Sequence, residues 1–200
     1  MFIDIESVNC WEQCYKEGIT RWDLGEPAPP LVSLLKSKQA PLPGRAAILG
    51  CGRGYEAILF ASHGFEVLGF DFAPSAIADA IRLAEKSDSS AKFLQRNIFD
   101  LPEEFPSYFD YVIEHTCFCA IPPSRRWDYV RVAHTILRPG GELIGLFFTH
   151  SRPGGPPFGV TPEEIREYFT PDFEILCLIP ATNSILSRQG EEHFARFRRV

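Results

Sequence analysis

From Arg45 onward, short apolar runs alternate regularly with segments that have helical spacing. This alternation constrains the fold more than any other feature, because it is typical of parallel strands connected by helices. It predicts strands at Arg45–Gly50, Phe65–Phe70, Ala91–Phe99, Phe109–Phe118 and Glu142–Thr149. It predicts helices between them at Tyr55–His63, Pro74–Lys86 and Ser124–Leu137.

The pattern changes towards the C-terminal end. A helix with Thr161 as its cap and Pro162 in its first turn precedes two further strand patterns, at Phe173–Ile179 and His193–Arg199. The segment Pro180–Glu192 between them has no helical pattern, which favours an antiparallel pair. The sequence therefore predicts a doubly wound, Rossmann-like α/β sheet of seven strands with the last strand antiparallel.

The length of the chain limits how many domains it can form. Its 200 residues, 45% of them hydrophobic, are enough for one sizeable core and too few for two ordinary domains. We expect a single domain over residues 1–200, with an N-terminal segment at 1–44 and a Rossmann-like core at 45–200. A helix is expected near Ser7–Glu17 in the N-terminal segment.

Charge and hydropathy exclude several classes of partner. With 20 Lys and Arg against 26 Asp and Glu, the net charge is −6, which argues against nucleic acid as a major partner. No apolar run approaches the roughly 20 residues that cross a bilayer, and the first residues, Met1 to Asp4, lack the pattern of a signal peptide. We therefore expect a cytoplasmic protein without a membrane partner; the sequence does not determine its oligomeric state.

The spacing of the six cysteines does not match a metal site. They contain no C-x-x-C pair, and nothing in the sequence indicates secretion. We expect reduced thiols that pack as small buried hydrophobic side chains, and no bound metal.

A glycine-rich turn and an acidic residue indicate a nucleoside site. Gly50, Gly52 and Gly54 follow the first predicted strand, where a ligand could approach the backbone without meeting a Cβ atom. Asp71 ends the second strand 21 residues after Gly50, close to the spacing at which an acidic side chain reaches ribose hydroxyls. Tyr55 occupies the third glycine position of the dinucleotide motif, which argues against NAD.

Further motifs resemble those of a known enzyme family. They are the G-C-G-x-G turn, the G-F-D-F acid, the N-terminal W-D-x-G-x-P block and the G-G-P-P loop that precedes Phe158. Together they resemble the S-adenosylmethionine-dependent methyltransferases of the thiopurine methyltransferase-like superfamily, and within it the thiol and halide methyltransferases. The resemblance covers nearly the whole chain and implies S-adenosylmethionine as cofactor and S-adenosylhomocysteine as product.

The resemblance also implies roles for individual residues. The expected cofactor-binding residues are Trp11, Tyr15, Trp22, Gly50, Gly52, Asp71, Asn97, Ile98, Glu114 and His115. The N-terminal segment is expected to form a helical lid whose aromatic faces attract the sulfonium cation. Four positions depart from common family residues: Tyr15 replaces tryptophan, Asn97 replaces aspartate, and the pair Glu114-His115 replaces Asp-Tyr. The carbonyl of Asn97 is still able to accept a hydrogen bond from the adenine amino group.

Acceptor chemistry is less constrained by the sequence. Glu114 is expected to bind the amino group of the cofactor, and His115 to accept a proton from a thiol acceptor. Phe158 and Arg152 are candidates for contact with the acceptor. The hypothesis is direct methyl transfer to a thiol, hydrosulfide, thiocyanate or halide.

Three alternatives stay open. The first is methyl transfer to oxygen, nitrogen, selenium or tellurium acceptors, because acceptor loops vary more freely than the scaffold. The second is a nucleoside-binding module without catalytic activity. The third and most distant is a dinucleotide oxidoreductase.

Overall fold

One sheet runs through the part of the chain that the computed structural model describes, residues 7–200; residues 1–4, used above to argue against a signal peptide, lie outside it. Its strands are β1 (Arg45–Leu49), β2 (Glu66–Asp71), β3 (Lys92–Gln95), β4 (Phe109–His115), β5 (Leu137–Phe148), β6 (Phe173–Pro180) and β7 (Glu192–Arg199). They lie in the order β3-β2-β1-β4-β5-β7-β6. Because β7 is antiparallel to both neighbours while β1 to β5 pair in parallel, the predicted sheet is confirmed.

Helices cover both faces of this sheet. They are α1 (Val8–Glu17), α2 (Pro29–Leu35), α3 (Tyr55–Ser62), α4 (Pro74–Lys86), α5 (Leu101–Glu104), α6 (Arg126–Ile136) and α7 (Pro162–Phe169). Buried apolar side chains form one cluster with α2, α3 and α4 and another with α5, α6 and α7. The arrangement is therefore a three-layer sandwich, and the carboxyl ends of β1, β2 and β4 open at one edge.

Local sequence signals explain several element ends. The Thr161 hydroxyl accepts a hydrogen bond from the Glu164 amide, and the Glu164 carboxylate accepts one from the Thr161 amide, which makes a capping box for α7. Ser7 caps α1, and Gly18 ends that helix in a left-handed conformation with φ of 70°. The start of α7 and both ends of α1 lie where the sequence predicts them.

Other boundaries differ from the sequence prediction. The strand predicted at Ala91–Phe99 ends at Gln95, because the Asn97 side chain caps a short 3-10 helix that leads into α5. The strand predicted to reach Phe118 ends at His115, because Thr116 takes a left-handed φ of 62°.

Two further elements differ more. Strand β5 begins at Leu137 rather than Glu142, so the residues between the predicted helix and the predicted strand extend the strand instead. Helix α2 was not predicted; its prolines are compatible with the first helical turn, where no amide hydrogen is needed.

None of the helices between residues 7 and 200 is long and apolar enough to span a bilayer. No disulfide joins the six cysteines. Cys51, Cys117 and Cys119 are buried, whereas Cys10, Cys14 and Cys177 are half-buried. The expectation of buried thiols therefore fits only the first three.

Candidate active site

The glycine-rich turn after β1 forms the floor of a cleft. Gly50, Gly52 and Gly54 all have left-handed φ values, of 59°, 52° and 81°. A Cβ atom on Gly50 would lie 2.9 Å from the Cys117 sulfur, and one on Gly52 would lie 3.0 Å from the Tyr15 hydroxyl. Glycine is therefore required for both the conformation and the close approach of neighbouring atoms.

Asp71 lies at the end of β2 beside this turn, with only 8% of the residue exposed. One carboxylate oxygen accepts a hydrogen bond from the Gly52 amide at 3.0 Å, and the other accepts one from the Ala73 amide at 2.9 Å. Burial raises the pKa of Asp71 despite these amides. Each oxygen retains capacity for a further hydrogen bond, which is what a ribose diol needs.

Three aromatic rings of the N-terminal segment form a roof over this floor. Trp22 meets Trp11 edge-to-face at 5.2 Å between ring centroids, and meets Tyr15 at 5.8 Å. The Trp22 indole nitrogen donates to the Tyr15 hydroxyl at 3.4 Å. Burial, followed by the charge of Asp71, raises the pKa of the Tyr15 phenol. The roof is therefore a packed aromatic group rather than three independent side chains.

Arg53 fastens the roof to the core from within the glycine turn. Its guanidinium pairs with Asp23, donates to the Thr20 hydroxyl at 3.1 Å and donates to Asp79 of α4 at 3.0 Å. It also lies 5.6 Å from the Tyr15 ring centroid, within cation–π range. Arg53 thus connects the N-terminal segment, the turn and α4.

Glu12 makes a second attachment. Helix α4 follows Ala73, which has no side chain able to cap it. The Glu12 carboxylate of α1 accepts hydrogen bonds from the Ser75 amide at 2.8 Å and the Ser75 hydroxyl at 2.7 Å. These bonds, with the amide contribution foremost, outweigh desolvation and lower the pKa of Glu12. Helix α1 therefore supplies the cap that α4 lacks.

The last two residues of β4 point to opposite faces of the sheet, as neighbours in a strand do. Glu114 lies on the side of α6, where it accepts hydrogen bonds from the amides of Cys117 at 2.9 Å and Phe118 at 2.8 Å and from the Tyr129 hydroxyl. Burial raises the pKa of Glu114 to about 7. Its carboxylate holds the loop after β4 and does not line the cleft, so the geometry argues against the expected contact with the cofactor amino group.

His115 lies on the cleft side. Its Nδ1 is 2.9 Å from the Glu56 carboxylate of α3, which also accepts the Ala28 amide at 3.1 Å. Its Nε2 is 3.1 Å from Nη1 of Arg188, a nitrogen that donates only. The neutral imidazole therefore carries its proton on Nδ1. Burial lowers the pKa of His115, but the charge and hydrogen bond of Glu56 outweigh it and raise the pKa overall.

Arg188 is a site residue that sequence reasoning missed. It ends a short 3-10 helix between β6 and β7, and only 8% of it is exposed. It donates to the Trp22 carbonyl at 2.7 Å and pairs with Glu192 at 3.3 Å. Its guanidinium lies 5.6 Å from the Phe148 ring. A buried cation thus connects the aromatic roof to the His115 end of the cleft.

The structure brings half of the predicted cofactor-binding residues to one place. Tyr15, Trp22, Gly50, Gly52 and His115 line the same cleft. Trp11 contacts it through Trp22, and Asp71 through the Gly52 amide.

Besides Glu114, four predicted residues do not line this cleft. Asn97 is exposed, and its carbonyl oxygen, expected to accept from adenine, already accepts from the Phe99 amide at 3.1 Å; Ile98 beside it is buried. Arg152 is directed to Glu191 in a two-contact ion pair. The Phe158 amide donates to the Cys119 carbonyl at 2.7 Å, so its backbone positions a loop.

A family model described as "Thiopurine S-methyltransferase (TPMT)" matches residues 7–198. The chain belongs to the thiopurine S-methyltransferase family. The chain is similar to "Thiocyanate methyltransferase 1" of Brassica oleracea, with 34% identity over 95% of this chain and 84% of that protein. "Probable thiol methyltransferase 2" of Arabidopsis thaliana is 32% identical over 94% of this chain and 84% of that protein.

Solved structures agree on the fold. The Burkholderia thailandensis 1,6-didemethyltoxoflavin-N1-methyltransferase, solved with bound S-adenosylhomocysteine, superimposes with a TM-score of 0.78 and 18% identity, covering 96% of this chain and 87% of that chain. As a member of the thiopurine S-methyltransferase family, the protein is an S-adenosylmethionine-dependent methyltransferase.

The residues of the cleft fit this cofactor. The floor of Gly50 and Gly52 presents backbone without side chains, Asp71 offers carboxylate oxygens beside it, and aromatic faces lie above. These are the groups that a ribose and a sulfonium cation require. Among residues 7–200, no three His, Cys, Asp or Glu side chains are grouped as a metal site would need.

Proposed function

We propose that this methyltransferase family member transfers the methyl group of S-adenosylmethionine to a small sulfur nucleophile such as thiocyanate, hydrosulfide or a small thiol, and also to halide. The observation that carries the proposal is the aromatic roof closed over the glycine floor next to His115. This enclosure suits a small acceptor that leaves its water shell on entry. The similarity to thiocyanate and thiol methyltransferases supports the same acceptor class.

The cofactor would be held by residues of the floor and the roof. In this proposal Gly50 and Gly52 contact the amino-acid part of the cofactor, and Asp71 accepts hydrogen bonds from its ribose hydroxyls. Tyr15 and Trp22 face its sulfonium. When bound, it supplies a methyl group on a positively charged sulfur. The roof excludes water and holds the reacting groups in line, and this alignment lowers the activation free energy by reducing the entropy lost in the reaction step.

The acceptor determines whether a base is needed. An anionic nucleophile attacks the methyl group directly and needs no proton transfer. A thiol with a pKa near 8.5 is mostly protonated at pH 7 and benefits from a base. His115 Nε2 is that base in this proposal, and Arg188 must first leave its present hydrogen bond with it.

Replacing His115 tests this assignment. His115→Gln is expected to slow thiol methylation more than iodide methylation, because only the thiol has a proton to lose. Initial rates with both acceptors, each saturating together with the cofactor, provide the measurement, so that a change in acceptor binding does not enter the comparison. Equal losses with the two acceptors would show that His115 is not a base.

The experiment that tests the function is a two-step assay. Calorimetry with S-adenosylmethionine is expected to show binding, and headspace detection of methyl thiocyanate, methyl sulfides and methyl iodide is expected to show turnover. Products only from oxygen, nitrogen, selenium or tellurium acceptors would replace the proposed acceptor. Binding without product from any acceptor would favour a non-catalytic module.

A further inference from the structure

Arg188 and His115 form a contact between two side chains that can both carry a positive charge. Both are buried, and Nη1 of Arg188 lies 3.1 Å from Nε2 of His115. The neutral imidazole accepts this hydrogen bond, but a protonated imidazole would place two donors against each other. The contact is therefore stable only while Nε2 carries no proton.

The charges that face His115 come from three elements. Glu56 approaches from α3, Arg188 from the loop between β6 and β7, and Glu192 from the start of β7. Glu114, its neighbour in β4, faces the opposite side of the sheet. With His115 neutral, two carboxylates outnumber one guanidinium, so the group opposes the entry of an anion. One additional proton neutralises the group.

We propose that Arg188 Nη1 and His115 Nε2 separate to bind one monovalent anionic acceptor between them, and that His115 takes up a proton from solvent as the anion binds. This inference rests on the proposed function. The anion would accept a hydrogen bond from each nitrogen, and the Phe148 ring beside Arg188 forms an apolar wall.

Over one complete reaction, the number of protons taken up equals the number released. The anion gains a methyl group and becomes a neutral product, while the cofactor loses its positive charge. A neutral product no longer stabilises the imidazolium, so the proton returns to solvent when the product leaves. Net turnover therefore consumes no proton, although binding and release each move one.

Because anion binding and proton uptake are coupled, the proposal predicts how the affinity for an anion changes with pH. The Glu56 carboxylate already raises the pKa of His115, and a bound anion raises it further. Affinity for thiocyanate is therefore expected to fall as pH rises above the pKa of the unliganded site, by up to about tenfold per pH unit.

The test is calorimetry with sodium thiocyanate titrated into the protein bound to S-adenosylhomocysteine, and also into the protein alone. Repetition in buffers of different ionisation enthalpy gives the number of protons taken up. We expect uptake approaching one proton per anion at pH values above the pKa of the unliganded His115. A parent protein that binds thiocyanate without proton uptake would overturn the proposal.

Variants identify the two groups. Arg188→Met is expected to weaken thiocyanate binding at least tenfold and Arg188→Lys to restore part of it, while His115→Gln abolishes proton uptake. Arg131→Met is the control, since Arg131 is 73% exposed on α6 and its loss changes the net charge equally. Thermal unfolding verifies that each variant folds. Unchanged binding in folded Arg188→Met would also contradict the inference.

The two proposals can fail separately. If the parent protein binds S-adenosylhomocysteine and methylates a thiol but shows pH-independent thiocyanate affinity, only the anion site is wrong. If it binds no cofactor and methylates no acceptor, the proposed function is wrong, and titration of the free protein still decides the anion site.

Discussion

At the scale of single residues, adjacent positions in a strand serve different purposes. Glu114 and His115 are neighbours in sequence, but one carboxylate holds the loop after β4 and the other side chain borders the cleft. Family resemblance assigns both to the site, whereas the period of two in a strand separates them. The local backbone therefore decides which of them meets a ligand.

Asp71 provides the first prediction at this scale. Asp71→Asn should weaken S-adenosylmethionine binding about tenfold to a hundredfold, which corresponds to ~1.5–3 kcal/mol for hydrogen bonds to a charged group. Calorimetry measures the change. Glu167→Gln on the exposed side of α7 serves as a control for the lost charge. Equal affinity in parent and Asp71→Asn would show that the carboxylate does not bind the cofactor.

Glu114 provides a prediction for stability. Its folded pKa of about 7 lies above the ordinary value because of burial, so the folded state binds more protons than the unfolded state between about pH 4.5 and 7. The contribution to stability is complete below the ordinary pKa and is lost as pH rises through 7, by at most about 1.4 kcal/mol per unit.

Denaturant unfolding from pH 5 to 8 measures this effect. Glu114→Gln should show a weaker fall in unfolding free energy than the parent, because the amide stays neutral at every pH. The pKa of His115 is also raised, so His115 contributes a pH dependence of the same sign, which His115→Gln measures separately. The same slope in parent and Glu114→Gln would disprove the assignment.

Sequence reasoning at this scale found residues inside motifs and missed those brought in by tertiary structure. Gly50, Gly52 and Asp71 lie in a turn and at a strand end, where spacing alone indicates a ligand. Glu56 and Arg53 are within or next to that turn, so inspection of its charged residues would have found them. Arg188 lies in a segment without periodic pattern, and only the fold places it beside His115.

At the scale of elements, the N-terminal segment is attached to the core by ion pairs and by the side chain of Glu12, which caps α4. Because Glu12 caps α4, docking of α1 and stability of the start of α4 depend on each other. Glu12→Ala should increase amide hydrogen exchange in α1 and in the first turn of α4, because it lowers the free energy of local opening of these two segments by about 1 kcal/mol. Exchange in β4 and β5 should not change.

Glu17→Ala is the matched control, since Glu17 carries the same charge on the exposed side of α1. Hydrogen exchange followed by mass spectrometry distinguishes the two variants. If Glu12→Ala leaves exchange in α4 unaltered, the cap contributes nothing to that helix.

The elements themselves were largely predictable, but their ends were not. Short apolar runs located all seven strands; for β1 to β5, which pair in parallel, the reason is that buried parallel strands need largely apolar side chains. The end of β3 depends on capping by Asn97, and the start of β5 on pairing with β4 across a bulge. Both are contacts that a linear pattern does not contain.

At the scale of the whole molecule, the core determines which thiols react. Burial raises the pKa of Cys119 to about 12 and raises those of Cys51 and Cys117 well above the ordinary value. At pH 8 we therefore expect a disulfide reagent to modify at most the three half-buried cysteines quickly in the native protein. In denaturant it should modify all six. Rapid modification of a fourth thiol in the native protein would contradict the buried core.

The bond from Arg188 to the Trp22 carbonyl has a consequence for the order of assembly in the cell. Trp22 leaves the ribosome early, yet its partner belongs to the loop between β6 and β7, which is translated after the first five strands. A nascent chain can pair the first five strands before this loop emerges. The site is therefore completed only after the loop between β6 and β7 has emerged, and a nascent chain that stops at β5 lacks the hydrogen bond from Arg188 to Trp22.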